Sequence, residues 1–217
     1  MPSVLSLQVG RVAALGPKQV PSAFVKLTIS GSVRAGALGL AGDQQADLKV
    51  HGGKDKAVYV YPSEHYPRWA ADVPVHEQTL LPGAFGENLT TVGLDEQAVS
   101  IGDTLTIGST RMQVTQPRQP CFKLGLRFAD NTLGRIMMQS GRTGWYMRVL
   151  DEGEVTAGDE IRVVSRPNPH WTIARFNEVI IRRSASADEM NEVLKLEGLA
   201  QVWRDEITQT LRNGAGG

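Results

Sequence analysis

Cys121 is the only cysteine in the chain, and it stands in QPRQPCFKL at 116–124 between a proline and an aromatic ring. A thiolate is both a nucleophile and a soft metal ligand, and nearby cations lower its pKa. Arg118 and Lys123 are such cations. Pro117 and Pro120 stiffen the approach, because each fixes φ and withholds an N–H. The stretch reads as a rigid, kinked strand end that offers one thiol to a metal. The competing reading is a buried structural cysteine, the commoner fate of a lone Cys.

Two other stretches carry candidate chemistry. In LGLAGDQQADLKVHGGKDKAVYVY at 38–61, His51 precedes Gly52 and Gly53 and then a strand. Two glycines let backbone N–H groups approach a ligand, and a nest of such groups binds anions. Lys49, Lys54 and Lys56 add positive charge, and His51 can exchange a proton near neutral pH. A hairpin turn with solvated lysines explains the same residues. In GAFGENLTTVGL at 83–94, Phe85 anchors a turn while Glu87 and Asn88 present polar groups. The Asn88 amide has donors and an acceptor, which suits a polar heterocycle, and ordinary turn chemistry competes with that reading. The chain has no G-x-G-x-x-G, Walker A, H-E-x-x-H or C-x-x-C pattern, and its histidines at 51, 65, 76 and 170 lack zinc-ligand spacing. His65 sits beside Tyr66 and Trp69, which favours packing over catalysis.

Short β-branched runs position these stretches. Residues 3–10, 23–30, 56–62, 104–108, 111–116 and 159–165 read as strands. In the last of them Ile161 and Val163 share one face and Arg162 the other. IGDTLTIG at 101–108 and AGDEIRVV at 157–164 resemble each other: a Gly-Asp turn feeds an alternating strand in both. Many short strands broken by turns favour a mainly β fold, a closed antiparallel β-barrel, over residues 1–166. Helical spacing appears at 63–72, with Ser63 as candidate N-cap, and at 131–140, where Leu133, Ile136 and Met137 share a side.

RPNPH at 166–170 is a linker, and beyond it the period changes. Three helices are predicted over 170–213. They carry stripes of Ile173, Phe176 and Ile180, then Met190, Val193 and Leu194, then Trp203, Ile207 and Leu211. Ser186 and Glu189 have capping-box spacing, and Gly198 marks a stop. So short a unit is marginal alone, so it is expected to pack on the barrel or on a second subunit.

Lys plus Arg and Asp plus Glu both total 23, so the chain has no bulk attraction for nucleic acid or anionic membrane. Hydrophobic residues at 41% suffice for an ordinary core, and no apolar run approaches the ~20 residues that span a bilayer. The start lacks a signal-peptide pattern, and a lone cysteine forms no internal disulfide. These features point to the cytoplasm.

The ordered set LGLAGDQQADLKVHGG at 38–53, FGENLTT at 85–91 and QPRQPCFKL at 116–124 resembles the MOSC domain, a module related to the C-terminal part of molybdenum-cofactor sulfurases. More narrowly, the chain is similar to bacterial YiiM-like proteins, which carry a three-helix extension like residues 171–213. The resemblance covers nearly the whole chain. It implies a closed barrel, molybdenum-cofactor binding and, at the level of the family alone, pyridoxal phosphate binding. It implies that Cys121 ligates molybdenum, that Gly52, Gly53, Asn88, Arg118, Gln119 and Lys123 hold the cofactor, and that His51 supplies a proton or grips the cofactor. The implied activity is detoxifying reduction of N-hydroxylated compounds such as 6-hydroxylaminopurine, with a separate flavoprotein reductase as electron donor and a homodimer as candidate assembly. A small polar residue such as Ser is expected just before the Pro-Cys pair; this chain has Gln119. Three rival classes remain at this level. One is a hydrolase with Cys121 as nucleophile and His51 as base. The others are a non-enzymatic carrier of cofactor or sulfur on Cys121, and an interaction module that works through its helical tail.

Overall fold

Short apolar runs form one eight-stranded sheet and two small sheets. A computed structural model describes residues 1–47 and 52–214. The strands are β1 (Ser3–Val9), β2 (Ala13–Leu15), β3 (Val20–Ser22), β4 (Leu27–Ile29), β5 (Val33–Gly36), β6 (Gly39–Leu40) and β7 (Val58–Pro62). They continue as β8 (Leu89–Val92), β9 (Thr104–Ile107), β10 (Thr110–Pro117), β11 (Trp145–Asp151), β12 (Gly153–Val155) and β13 (Ile161–Ser165). The helices are α1 (His65–Asp72), α2 (Phe122–Phe128), α3 (Leu133–Ser140), α4 (Ile173–Phe176), α5 (Ala187–Val193) and α6 (Gln201–Gly214).

The expected closed, mainly β barrel is overturned. Beside the small sheets β12-β5-β6 and β2-β3, eight strands run in the order β13-β9-β10-β11-β7-β8-β1-β4, and the end strands β13 and β4 do not pair with each other, so the sheet does not close. The sheet is mixed, because β7 and β8 pair in parallel while the other pairs are antiparallel. The physical reason is the connection from β7 to β8. It carries α1 and the 3-10 turn Pro74–Thr79, and a crossover of that kind returns the next strand parallel. Helix and strand each account for about 29% of the chain, so the fold is not dominated by β structure.

The two Gly-Asp units do what their spacing predicts. Gly102 and Gly158 take positive φ (83° and 97°). The Asp103 carboxylate accepts from Ser100 N–H at 3.0 Å, and that of Asp159 from Thr156 N–H at 2.7 Å. The strands they feed, β9 and β13, are direct neighbours. Ile161 points inward, whereas Val163 is 39% exposed on the edge strand, so the predicted shared face is only half buried. Of residues 23–30, only Leu27–Ile29 is strand. Helix α1 starts at His65, with Glu64 rather than Ser63 at the N-cap position.

The C-terminal helices share one core with the sheet. Val4, Leu7, Val60, Val114 and Trp145 belong to the same buried cluster as Trp171, Phe176, Val193 and Trp203. The capping box of Ser186 and Glu189 is formed. Helix α4 runs into a π turn, Asn177–Ile181, which keeps Ile180 on the buried side. A second cluster, built on Tyr61, Trp69, Phe85 and Phe128, lies under α1 and α2. Phe176 is fully buried and meets Trp203 edge-on at 5.1 Å. Phe176→Ala should therefore destabilise the whole molecule by about 3–5 kcal/mol in a single chemical-denaturation transition. A tail that melts alone while sheet signals persist would contradict the continuous core.

Candidate functional site

The register of β10 against β11 fixes where the Cys121 segment leaves the sheet. Pro117 pairs with Trp145, and Arg118 N–H donates to the Gly144 carbonyl at 3.2 Å. Gly144 has φ 63°, and a Cβ there would meet the Val60 carbonyl oxygen at 2.2 Å, so only glycine fits. The chain then turns through Gln119 and Pro120. Cys121 takes the N-cap position of α2, with its carbonyl accepting from Leu124 N–H at 3.0 Å. The thiol-bearing residue is thus pinned between a sheet and a helix. It is half-buried and lines a cleft with Arg118, Lys123, Lys56, Tyr59 and Tyr146.

The cleft is cationic. Arg118 is buried, with its guanidinium carbon 5.3 Å from the Tyr59 ring centroid and 5.6 Å from that of Phe24. Its Nη1 donates to the Met137 sulfur at 3.1 Å. Burial opposes its charge, but Tyr59, Tyr146 and Cys121 hold its pKa above the ordinary value. Among the described residues no carboxylate forms an ion pair with it. Lys123, 9% exposed, likewise has no ion pair among the described residues. Lys26 differs: it holds Asp43 at 2.6 Å, and burial lowers its pKa despite that partner. Burial also lowers the pKa of Lys56, with Asp55 opposing.

The structure brings together five of the sequence-predicted residues: Asn88, Arg118, Gln119, Cys121 and Lys123 all line the cleft. Gln119 is exposed at its edge. Gly52 and Gly53 are not among the lining residues. His51 and Lys49 lie outside the described residues. Asn88 is already engaged by the protein. Its Oδ1 accepts from Tyr59 N–H at 3.1 Å, and its Nδ2 donates to Asp43 Oδ2 at 2.8 Å and to the Gln8 carbonyl at 3.3 Å. Asn88 thus holds Asp43, which in turn holds Lys26. Glu87 is fully buried and accepts from Gly83 N–H, Phe85 N–H and the Thr90 and Tyr66 hydroxyls. His65 is buried against Glu96 at 2.7 Å, the packing role expected of it.

Sequence reasoning missed Phe24, Lys26, Asp43, Tyr59 and Tyr146 as site residues. Tyr59 and Tyr146 face each other only because β7 and β11 pair there, with ring centroids 5.1 Å apart. Strand β11, WYMRVLD, was itself readable from its β-branched and aromatic residues and was overlooked. Helix α2 was also overlooked, since seven residues show little periodicity.

The MOSC domain family matches residues 47–162, and the YiiM-like, 3-alpha helix domain matches residues 171–214. The chain belongs to the MOSC family, in its YiiM-like group. It is 37% identical to Protein YiiM of Escherichia coli (strain K12) over 194 residues, covering 89% of this chain and 86% of that one. It is 35% identical over 213 residues to a protein named Reductase from Gibberella moniliformis, covering 97% of this chain and 37% of that longer one. The crystal structure of YiiM from Geobacillus stearothermophilus superposes with a TM-score of 0.83 at 30% identity, over 97% of this chain and 100% of that one.

All four tyrosines have pKa values raised by burial: Tyr59, Tyr61, Tyr66 and Tyr146. A raised value means that the fold keeps the proton, so this stabilisation is present below the unfolded value of about 10 and is lost as pH rises above it. Alkaline titration should show phenolate absorbance appearing only together with unfolding. A tyrosine that ionises reversibly near pH 10 in folded protein would contradict the buried aromatic wall of the cleft.

Proposed function

We propose that this protein is a molybdenum-cofactor-dependent reductase of N-hydroxylated compounds, with Cys121 as the protein's ligand to the metal. The observation that carries the reading is one half-buried thiol in a cleft whose buried guanidinium has no carboxylate partner among the described residues. The MOSC family is associated with molybdenum-cofactor binding, and a fungal relative bears the name Reductase. No helix is long and apolar enough to cross a membrane among the described residues.

The donor set fits this cofactor. A thiolate suits a soft metal centre, and a guanidinium suits phosphate or other anions through bidentate hydrogen bonds. Among the described residues no three His, Cys, Asp or Glu side chains converge to hold a metal. A metal at Cys121 therefore needs ligands of its own, and the pyranopterin dithiolene carries two sulfurs. The cleft has a volume of about 90 Å3 and opens to solvent. That seats a metal and its nearest ligand atoms, so the rest of the cofactor would occupy the open part of the cleft.

When bound, the cofactor supplies two-electron redox chemistry. In the net reaction R–NHOH takes two electrons and two protons, its N–O bond breaks, and R–NH2 and water form. Electrons come from a separate flavoprotein reductase. Arg118 and Lys123 balance the anionic charge of the cofactor. Tyr59 and Tyr146 stay protonated and close the cleft on one side. His51 is assigned the proton delivered to the departing oxygen. N-hydroxylated bases such as 6-hydroxylaminopurine are the proposed substrates.

Protein expressed with molybdate should contain about one molybdenum per chain and reduce 6-hydroxylaminopurine with a competent reductant. Cys121→Ala or Cys121→Ser should abolish turnover; a fully active Cys121→Ala protein ends the proposal. Lys123→Gln should lower molybdenum retention roughly tenfold while changing the denaturation midpoint little, as expected for loss of one charge-assisted contact. Unchanged retention removes Lys123 from the cofactor's grip. Molybdenum retained without turnover by wild-type protein identifies a cofactor carrier instead.

A further inference from the structure

The turn Gln119–Pro120–Cys121 borders three hollows. Gln119 and Cys121 line the cationic cleft. Pro120 and Cys121 line a groove that continues past Gly134 to Met138. Gln119 and Met138 also line a cavity of about 670 Å3 under the C-terminal helices. The three hollows are neighbours that share wall residues: Cys121 borders cleft and groove, Met138 groove and cavity, and Gln119 cavity and cleft.

The cavity differs in chemistry from the cleft. Ile180, Trp203 and Ile207 are buried and form its apolar floor, and Met138 and Met190 are half-buried on its walls. Methionines accommodate flat or irregular apolar bodies and make favourable contacts with aromatic rings. Gln119, Thr210 and Asn213 add neutral donors and acceptors. One arginine, Arg183, and one glutamate, Glu206, balance in charge. A concave space with an apolar floor and several polar groups on its rim is a usual form of small-molecule site, and this one has no preference for anions. Size decides the division of labour. The cleft has a volume of about 90 Å3 against about 670 Å3 for the cavity, and both are open to solvent on one side.

We infer that this cavity seats the organic body of the substrate, a neutral heteroaromatic ring system, while its N-hydroxyl group reaches over Gln119 toward Cys121. The inference rests on the reductase reading. It gives the three-helix part a role in substrate selection beyond covering the sheet. Gln119 becomes a positioning residue at the passage between the two spaces.

Filling the cavity tests this. Ala185→Trp and Thr210→Trp place bulk at rim positions that are not buried, so folding should tolerate them. For both variants the ratio of kcat/KM for 6-hydroxylaminopurine to that for hydroxylamine should fall roughly tenfold, the size of effect that pocket occlusion produces. Val202→Trp, on the same helix but half-exposed and outside the cavity, should leave that ratio unchanged. Equilibrium dialysis of adenine, the amino product, against molybdenum-loaded protein gives a readout without turnover. Binding should weaken roughly tenfold in Ala185→Trp and Thr210→Trp and not in Val202→Trp. Unchanged ratio and unchanged adenine binding in both filling variants overturn the inference, as does an equal loss in Val202→Trp. If wild-type protein reduces neither substrate, the reductase reading fails, and dialysis alone still decides whether the cavity holds a purine.

Discussion

Arg118 enters the interior between two aromatic rings, over a methionine sulfur, beside the only thiol of the chain. Burying a charge is costly unless something compensates it. Here the compensation within the protein is soft: ring faces, phenol oxygens and sulfur, and no ion-paired carboxylate among the described residues. A cation held this way keeps its capacity for an anion that the protein itself does not supply. The cationic character of the cleft follows from that, and so does the suitability of Cys121 as a thiolate ligand beside it.

The rest of the fold keeps this arrangement fixed. Gly144, the residue that no side chain could replace, accepts the Arg118 backbone bond and donates to the buried Glu96 at 2.6 Å. Glu96 also meets His65 of α1, so the helix, the sheet and the cleft wall are tied through one carboxylate. On the other side, Asn88 holds Asp43, and Asp43 neutralises Lys26. That chain removes one lysine from the cleft's balance, while Arg118 and Lys123 form no ion pair among the described residues.

The legible part of the site was local in sequence. Arg118, Gln119, Cys121 and Lys123 fall within six residues, and Pro117 and Pro120 announce a constrained turn. The illegible part was made by pairing. Tyr59 meets Tyr146 through the β7–β11 register, and Lys26 meets Asp43 across the three strands β4, β5 and β6 that separate them in the chain, and neither contact has a periodic or spacing signal. The C-terminal helices were readable because apolar residues recur at helical spacing along 173–211, and the capping box marked one start. The barrel expectation failed on the parallel β7–β8 pair, since strand runs alone do not reveal whether a sheet closes. Asn88 lines the cleft, and its amide is engaged by Tyr59, Asp43 and Gln8, contacts that sequence spacing does not reveal.

The claim at the centre of this account is that the Cys121 sulfur binds the metal directly. X-ray absorption at the molybdenum edge tests it on loaded protein, by comparing wild type with Cys121→Ser at equal metal content. The account predicts that wild type has one more sulfur neighbour at bonding distance than the serine variant. An identical sulfur count in the two proteins would contradict it.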